Sequence, residues 1–159
     1  MKIAEVSFHG CIRAHKQAMC LASLGHSVHF VANYIAPSHS VSGYDAVHMF
    51  NVDTPEHGLM NTRQLANITQ LLSKEVDVFS VHNEPNWIFK VVKENTDKPV
   101  VWDIHDWTSI RDNSIEFELE MERYALDNAD AFVVPSKGYL KKIRAEKPNK
   151  PSLLVYSKV

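Results

Sequence analysis

The chain has 159 residues, a length that suits one domain, and its 17 Lys and Arg residues nearly balance its 19 Asp and Glu residues. The formal net charge of −2 excludes the basic face that a dedicated nucleic-acid-binding protein carries. No apolar run approaches the roughly 18 residues of a membrane span, and the N-terminus lacks a signal-peptide pattern. The two cysteines, Cys11 and Cys20, fall too far apart in one predicted helix to bridge, so we expect a reduced, cytoplasmic protein.

Short β-rich runs alternate with amphipathic helical segments along the chain. The predicted strands cover residues 3–8, 27–32, 46–50, 76–81, 100–104, 131–134 and 153–156. The predicted helices cover about 12–24, 60–73, the segment after 85, 114–127 and 137–144. Gly25 ends the first helix, and Asn113 with Glu116 has the spacing of a capping box. The alternation predicts the α/β fold class, with one three-layer domain over residues 1–159 and a mostly parallel sheet.

Polar residues follow several strands at the points where those strands end. Ligands of open α/β sheets bind beyond the carboxyl ends of the strands, where the strand order reverses. If the order is 3-2-1-4-5-6, the first and fourth strands flank that crevice. The residues at the ends of the first, fourth and fifth strands are His9, Gly10, Arg13 and Lys16, then His82, Asn83 and Glu84, then Asp103, His105, Asp106 and Trp107. We therefore expect a site at this edge of the sheet.

The same residues also have structural interpretations. In the structural interpretation, Asn83 or Glu84 caps the following helix and has no role in a site. Asp103 and His105 alternate along an extended segment and share a face, where the carboxylate can orient the imidazole. A metal site of these two residues with His82 is chemically reasonable, but the close spacing of a metal motif is lacking, so no metal is assigned.

Two further patterns bear on the surface of the protein. Trp87 and Trp107 lie close to the same edge, and we expect them to be exposed, where aromatic faces can stack on carbohydrate. The alternating glutamates of the helix near residue 120 do not share one helical face, so they are predicted to be the solvated surface of a helix that buries Phe117, Met121 and Tyr124: Glu116, Glu118, Glu120 and Glu122.

Several nucleotide and hydrolase motifs are absent from the sequence. No G-x-G-x-x-G follows the first strand, so the nicotinamide or flavin fingerprint is missing, and there is no P-loop. No G-x-S-x-G elbow is present for hydrolase chemistry.

Four segments together resemble the family-4-like N-terminal domain of GT-B glycosyltransferases. Residues 13–28, RAHKQAMCLASLGHSV, are similar to its first helix, R-x-x-K-x-A-x-x-L-x-x-x-G-H-x-V. HNEP at 82–85 resembles its H-x-x-P turn, and PVVWDIHD at 99–106 resembles its P-x-V-x-D-x-H-D/E strand. Residues 125–136 resemble its closing strand, A-D-x-x-x-x-x-S. The resemblance covers nearly the whole chain.

The resemblance implies a Rossmann-like domain, one half of a GT-B fold, that binds the acceptor and faces a donor-binding C-terminal domain. It implies that His82 approaches the transferred sugar and that the Gly10 loop lies near the donor phosphates. It also implies that Asp103, His105 and Asp106 line the acceptor side.

The chain departs from the family pattern in two respects. It has His9-Gly10-Cys11 where family members commonly show a glycine pair, and the donor-binding domain is absent from its 159 residues. Glycosyl transfer requires donor and acceptor to be held together with water excluded. We therefore expect no transfer, or very weak transfer, by this chain alone.

These observations predict the acceptor-binding half of a retaining glycosyltransferase that moves a sugar from a nucleotide-sugar donor to a sugar or to a polyprenyl-, lipid- or protein-linked hydroxyl. No cofactor is expected beyond the donor substrate. The expected partners are a donor-binding domain or subunit and a second copy of the chain.

Three alternatives stay open: a non-catalytic module that binds a sugar, nucleotide or protein, half of a sugar-nucleotide epimerase, and a metal-dependent hydrolase. The predicted catalytic residues are His82 and His105, and the predicted substrate-binding residues are His9, Gly10, Arg13, Lys16, Asn83, Glu84, Asp103, Asp106 and Trp107.

Overall fold

Strands and helices alternate along the computed structural model, which describes residues 1–35, 43–50, 62–83, 85–111 and 115–156. Within these ranges the seven strands are β1 (Lys2–Gly10), β2 (Ser27–Ile35), β3 (Ala46–Met49), β4 (Val78–His82), β5 (Val100–Asp103), β6 (Ala131–Val134) and β7 (Ser152–Leu154). The five α-helices in the same ranges are α1 (Ile12–Ser23), α2 (Arg63–Leu72), α3 (Trp87–Glu94), α4 (Glu116–Asn128) and α5 (Lys137–Glu146).

The described strands form one parallel sheet in the order β3-β2-β1-β4-β5-β6-β7. The order assumed above for the first six strands is the observed one, and β7 pairs with β6 at the far edge. The order reverses at β1 and β4, so the carboxyl ends of these two strands flank the crevice where ligands of such sheets bind.

Helices cover both faces of the sheet. Phe30 of β2 packs with Ala14 and Ala18 of α1 in one buried cluster. The next residue along β2, Val31, faces the opposite side and joins the larger core, which contains Leu65 of α2. Successive strand residues point to opposite faces, so these two clusters are separate layers. The predicted fold class, a Rossmann-like three-layer α/β domain, is confirmed.

Both ends of α1 follow from local chemistry. Cys11 has extended backbone and caps the helix, since the backbone N–H of Ala14 donates to its Sγ over 3.4 Å. Gly25 adopts a φ of +84°, a left-handed conformation that costs glycine little, and its N–H donates to the carbonyl of Ala22. Cys11 and Cys20 are both free thiols, as expected.

The fourth helix differs from its prediction in three details. Residues 112–114, which include the predicted capping residue Asn113, lie outside the described residues, and Ile115 precedes the helix without a side-chain cap. Phe117 was expected to be buried and is 42% exposed. The prediction that Glu122 is solvated is wrong, because its buried carboxylate accepts the backbone N–H of Ser109 at 3.2 and 3.3 Å.

In the part of the chain that the structure describes, no helix combines the length and the apolar character required to cross a membrane.

Candidate functional site

Buried polar side chains lie on the face of the central strands that α1 covers. Glu5 of β1 is the register partner of Ser80 in β4, and His82 of β4 is the partner of Asp103 in β5. Partners in parallel strands share a face, so these side chains form one polar patch inside the sheet. Arg13, in the first turn of α1, reaches this patch and contacts Asp103.

His82 lies in the interior of this patch, and its side chain has no exposed surface. Its Nε2 is 2.7 Å from Oε2 of Glu5, and its Nδ1 is 2.9 Å from Nε2 of His105. Both ring nitrogens are thus engaged by protein groups. The expectation that His82 approaches a transferred sugar stays a prediction; of the two imidazoles, His105 is the one with exposed surface.

His105 forms the outer end of the cluster, with 19% of its side chain exposed. Its Nδ1 is 3.9 Å from Sγ of Cys11, and its backbone N–H donates to Oδ1 of Asn83 over 2.6 Å. Burial, and after it the positive charges of His82 and Arg13, lower the pKa of His105 to about 2. His105 is therefore a neutral imidazole at physiological pH.

An ion pair joins α1 to the end of β5. Nε and Nη2 of Arg13 lie 3.2 and 2.9 Å from Oδ1 of Asp103, whose side chain is fully buried. Nη1 of Arg13 also donates to the carbonyl oxygen of Val155, beyond β7, over 3.2 Å. The guanidinium predicted to bind substrate thus holds three parts of the fold together beside the imidazoles.

Asn83 shapes the loop that follows β5. Its Nδ2 donates to the carbonyl of Asp106 over 2.6 Å, in addition to the bond that its Oδ1 accepts from His105. The interpretation of Asn83 as a helix cap is wrong, because Asn86 precedes α3 and Asn83 bonds to the neighbouring loop instead. Glu84, the other candidate cap and a predicted substrate-binding residue, lies outside the described residues.

The remaining predicted residues at this edge divide by exposure. His9, near the end of β1, is exposed, and its ring contacts the Phe8 ring edge-on at 4.6 Å. Lys16 is exposed on α1, and Gly10 is the last residue of β1. Asp106 is exposed and forms a 3.0 Å ion pair with Arg111. The exposed side chains of His9, Lys16 and Asp106 thus lie outside the buried interior of the cluster.

The expectation that two tryptophans form an exposed pair is wrong. Trp87 and Trp107 are 4% and 1% exposed and belong to the main core. Trp107 packs edge-on against Tyr139 at 5.5 Å, and the ammonium of Lys142 lies 4.6 Å from its ring centroid. Packing against α5 therefore leaves Trp107 no open face on which a sugar could stack.

Sequence reasoning missed Glu5, although a signal was present. It is a single acidic residue in an otherwise apolar strand, Ile3-Ala4-Glu5-Val6, and its side chain is fully buried. Carboxylates are almost never buried without a partner, so an acid at such a position predicts a basic group opposite it.

The three residues of the metal site that is chemically reasonable from the sequence lie close together in the structure. His82, Asp103 and His105 each present one ligand atom within 4.8 Å of the others. However, the facing imidazole nitrogens are already 2.9 Å apart, and Asp103 accepts two bonds from Arg13. A guanidinium beside one donor repels a second cation. The geometry therefore suits a hydrogen-bonded cluster better than a metal centre.

The parallel Rossmann-like sheet, with imidazole and carboxylate groups at the ends of its central strands and the guanidinium of α1 beside them, defines an α/β domain with a polar cluster at its switch point. The chain belongs to glycosyltransferase family 4, whose family model matches residues 12–155. The resemblance inferred from the helix and strand motifs is thereby confirmed at the level of the family.

The fold is also similar to that of a solved structure. Sucrose-phosphate synthase from Thermosynechococcus elongatus superimposes with a TM-score of 0.64 at 15% sequence identity. The match covers 100% of this chain and 90% of that chain. At this identity the likeness concerns the fold alone. No match was found among the curated proteins.

Proposed function

We propose that the chain forms the acceptor-binding side of a retaining glycosyltransferase. The donor is a nucleotide-sugar, and the acceptor is a hydroxyl of a sugar or of a polyprenyl, lipid or protein carrier. Membership of glycosyltransferase family 4 supports the reaction class. The observation that carries the site assignment is the neutral imidazole of His105, which reaches the surface at the carboxyl edge of the sheet.

His105 is the candidate catalytic residue in this proposal, and it contacts the acceptor hydroxyl. Its ring is held from behind by His82, and its backbone is held by Asn83. An imidazole fixed on two sides orients a hydroxyl without further loss of freedom, which is how pre-organised groups contribute to rate. His82 acts through His105 and is therefore a positioning residue.

The donor side of the reaction requires groups from outside this cluster. A departing nucleoside diphosphate is stabilised by cationic or N–H donors, but Arg13 is bonded to Asp103. A donor-binding domain or subunit supplies those groups. The exposed side chains of Leu153, Val155 and Tyr156, on the segment bonded to Arg13, offer apolar surface that this partner or a second copy of the chain would cover.

Product analysis tests the proposal against its alternatives. The purified chain is incubated with a panel of nucleotide-sugars, each with and without hydroxyl acceptors, while donor and acceptor binding are measured by calorimetry. We expect acceptor binding with no transfer, or very weak transfer, and binding that is lost in His105→Ala and kept in His26→Ala. Conversion of a nucleotide-sugar without any acceptor would indicate an epimerase, and tight nucleotide-sugar binding without acceptor binding would indicate a binding module. Either result overturns the proposal.

A further inference from the structure

The cluster contains a continuous line of four polar groups that runs from the interior to the surface. Oε2 of Glu5 is 2.7 Å from Nε2 of His82, whose Nδ1 is 2.9 Å from Nε2 of His105. Nδ1 of His105 is 3.9 Å from Sγ of Cys11. Each imidazole uses one nitrogen toward the interior and one toward the surface. The protonation state of His82 therefore determines which nitrogen of His105 carries its proton.

The charges that face His82 come from three elements. Glu5 on β1 and Asp103 on β5 are fully buried carboxylates, while Arg13 on α1 supplies one guanidinium. With His82 singly protonated and therefore neutral, this buried group would carry a net charge of −1. Tyr44, near Glu5, adds no charge, because burial and then the charge of Glu5 raise the pKa of its phenol to about 12. A second proton on His82 neutralises the group.

The hydrogen bonds of the carboxylates favour the same protonation state. Among the described residues, Oε1 of Glu5 and Oδ2 of Asp103 are buried without a hydrogen-bond partner. Oδ2 of Asp103 lies 3.7 Å from Nδ1 of His82. Buried unpaired carboxylate oxygens are costly, and a cation at this distance offsets part of that cost.

The electrostatic balance at His82 points in the same direction. Burial acts to lower the pKa of His82, but the hydrogen bond to Glu5 and the charges of Asp103 and Glu5 outweigh both burial and the opposing charge of Arg13. The pKa of His82 therefore lies above its ordinary value.

We propose that Glu5 is a positioning residue that keeps His82 doubly protonated, so that His105 accepts at Nε2 and carries its own proton on Nδ1. This inference rests on the proposed function, because it assigns the direction of the hydrogen bond between His105 and the acceptor hydroxyl. Nδ1 of His105 is then a donor toward the oxygen of the acceptor hydroxyl and not a base. If His82 were singly protonated on Nε2, His105 would donate to it and present a lone pair at Nδ1 instead.

Nitrogen-15 NMR of the purified chain with labelled histidine rings measures these proton positions directly. At pH 7.5 an ordinary imidazole, with a pKa of about 6.5, is mostly neutral. We expect His82 to be protonated at both nitrogens at this pH and His105 to be protonated at Nδ1 only, with assignments made from the His105→Gln spectrum. A singly protonated His82, or a His105 proton on Nε2, would overturn the proposal from the wild-type spectrum alone.

Two comparisons separate the role of Glu5 from a general structural effect. In Glu5→Gln, the charges of Asp103 and Arg13 balance each other, so the midpoint of the His82 titration should fall below that of the wild type, whereas Ser80→Ala, beside Glu5 in the sheet, should leave it unchanged. Within the same spectrum, the stacked pair His29–His48, whose ring nitrogens are 3.2 Å apart, is an internal reference. His48 should be neutral at pH 7.5, since burial and then His29 lower its pKa. A folded Glu5→Gln protein with an unchanged His82 would contradict the assignment.

The experiment also distinguishes this inference from the proposed function. Proton positions are observed without any ligand, so an absence of acceptor binding would contradict the proposed function and leave the assigned protonation of His82 and His105 intact. Normal acceptor binding with the opposite His105 tautomer would contradict that assignment and leave the proposed function intact.

Discussion

Asp103 carries a negative charge in a fully buried position, and its partner Arg13 is only 12% exposed. Breaking a buried pair by removing one charge costs about 3–5 kcal/mol, because the other charge is left uncompensated. We expect Asp103→Asn to lower the free energy of unfolding by about 3 kcal/mol, near the lower limit, since the amide oxygen can still accept from Arg13. Urea unfolding followed by circular dichroism measures this change.

A matched control is the exposed pair of Glu116 and Arg123, whose side chains are 78% and 63% exposed. Exposed ion pairs contribute at most about 1 kcal/mol. Glu116→Gln should therefore change stability far less than Asp103→Asn. Equal losses in the two variants would show that the Asp103 charge is not held in a desolvated site.

His105 makes a second prediction at the residue scale, concerning pH. Its folded-state pKa is lowered to about 2, mainly by burial, while in the unfolded chain it takes up a proton near pH 6.5. The unfolded state therefore binds one more proton below pH 6.5, so this stabilising contribution is complete above that pH and is lost as the pH falls. One proton corresponds to about 1.36 kcal/mol per pH unit.

The variant His105→Gln should remove this dependence. Between pH 6 and pH 4, its free energy of unfolding should fall less steeply than that of the wild type, by up to about 1.36 kcal/mol per pH unit. His26→Gln controls for the loss of a histidine, since the backbone N–H of His26 donates to the carbonyl of Leu21 at the end of α1, away from the cluster. Parallel wild-type and His105→Gln slopes in urea unfolding would mean that His105 protonates freely in the folded protein.

The sequence predicted part of this cluster for a definite reason. His82, Asp103 and His105 all stand at the ends of predicted strands, and the carboxyl ends of parallel strands meet at one edge. Glu5 could not be placed in the same way, because its contact with His82 depends on the register between β1 and β4. The hydrophobic pattern of the two strands does not determine that register.

At the scale of secondary-structure elements, Cys11 caps α1 through a single hydrogen bond from the backbone N–H of Ala14. Replacing a capping side chain by alanine typically costs about 1 kcal/mol. We expect Cys11→Ala to lower the unfolding free energy by about that amount, and Cys11→Ser to keep or raise it, because a hydroxyl is a better cap. Thermal and urea unfolding measure the stability of both variants. A Cys11→Ala protein as stable as Cys11→Ser would contradict the capping role.

The parallel sheet and the placement of the helices on its faces were predictable because strands that alternate with helices are joined by helical crossovers. The orientation of single side chains beyond the strand ends was not predictable in this way. Trp107 follows β5 as the polar candidates do, yet it turns inward because α5 supplies Tyr139 and Lys142 to cover it. Glu122 similarly points inward because the turn at Ser109 supplies a donor for its carboxylate.

At the scale of the whole molecule, membership of glycosyltransferase family 4 sets the expectation for activity. This chain presents one polar edge, where the guanidinium of Arg13 is bonded to Asp103. We expect the purified chain to release no nucleoside diphosphate above the blank, or only traces, from any pairing of nucleotide-sugar and acceptor. Robust transfer by the 159-residue chain would show that no further domain or subunit is required.

The most direct test of acceptor binding at the sheet edge is a backbone amide NMR titration of the labelled chain with a panel of hydroxyl acceptors. We expect shifts that concentrate at His9, Arg13, His105 and Asp106, and that disappear in His105→Ala but persist in His26→Ala. Shifts confined to another surface, or an unchanged pattern in His105→Ala, would contradict the assignment of this edge as the acceptor site.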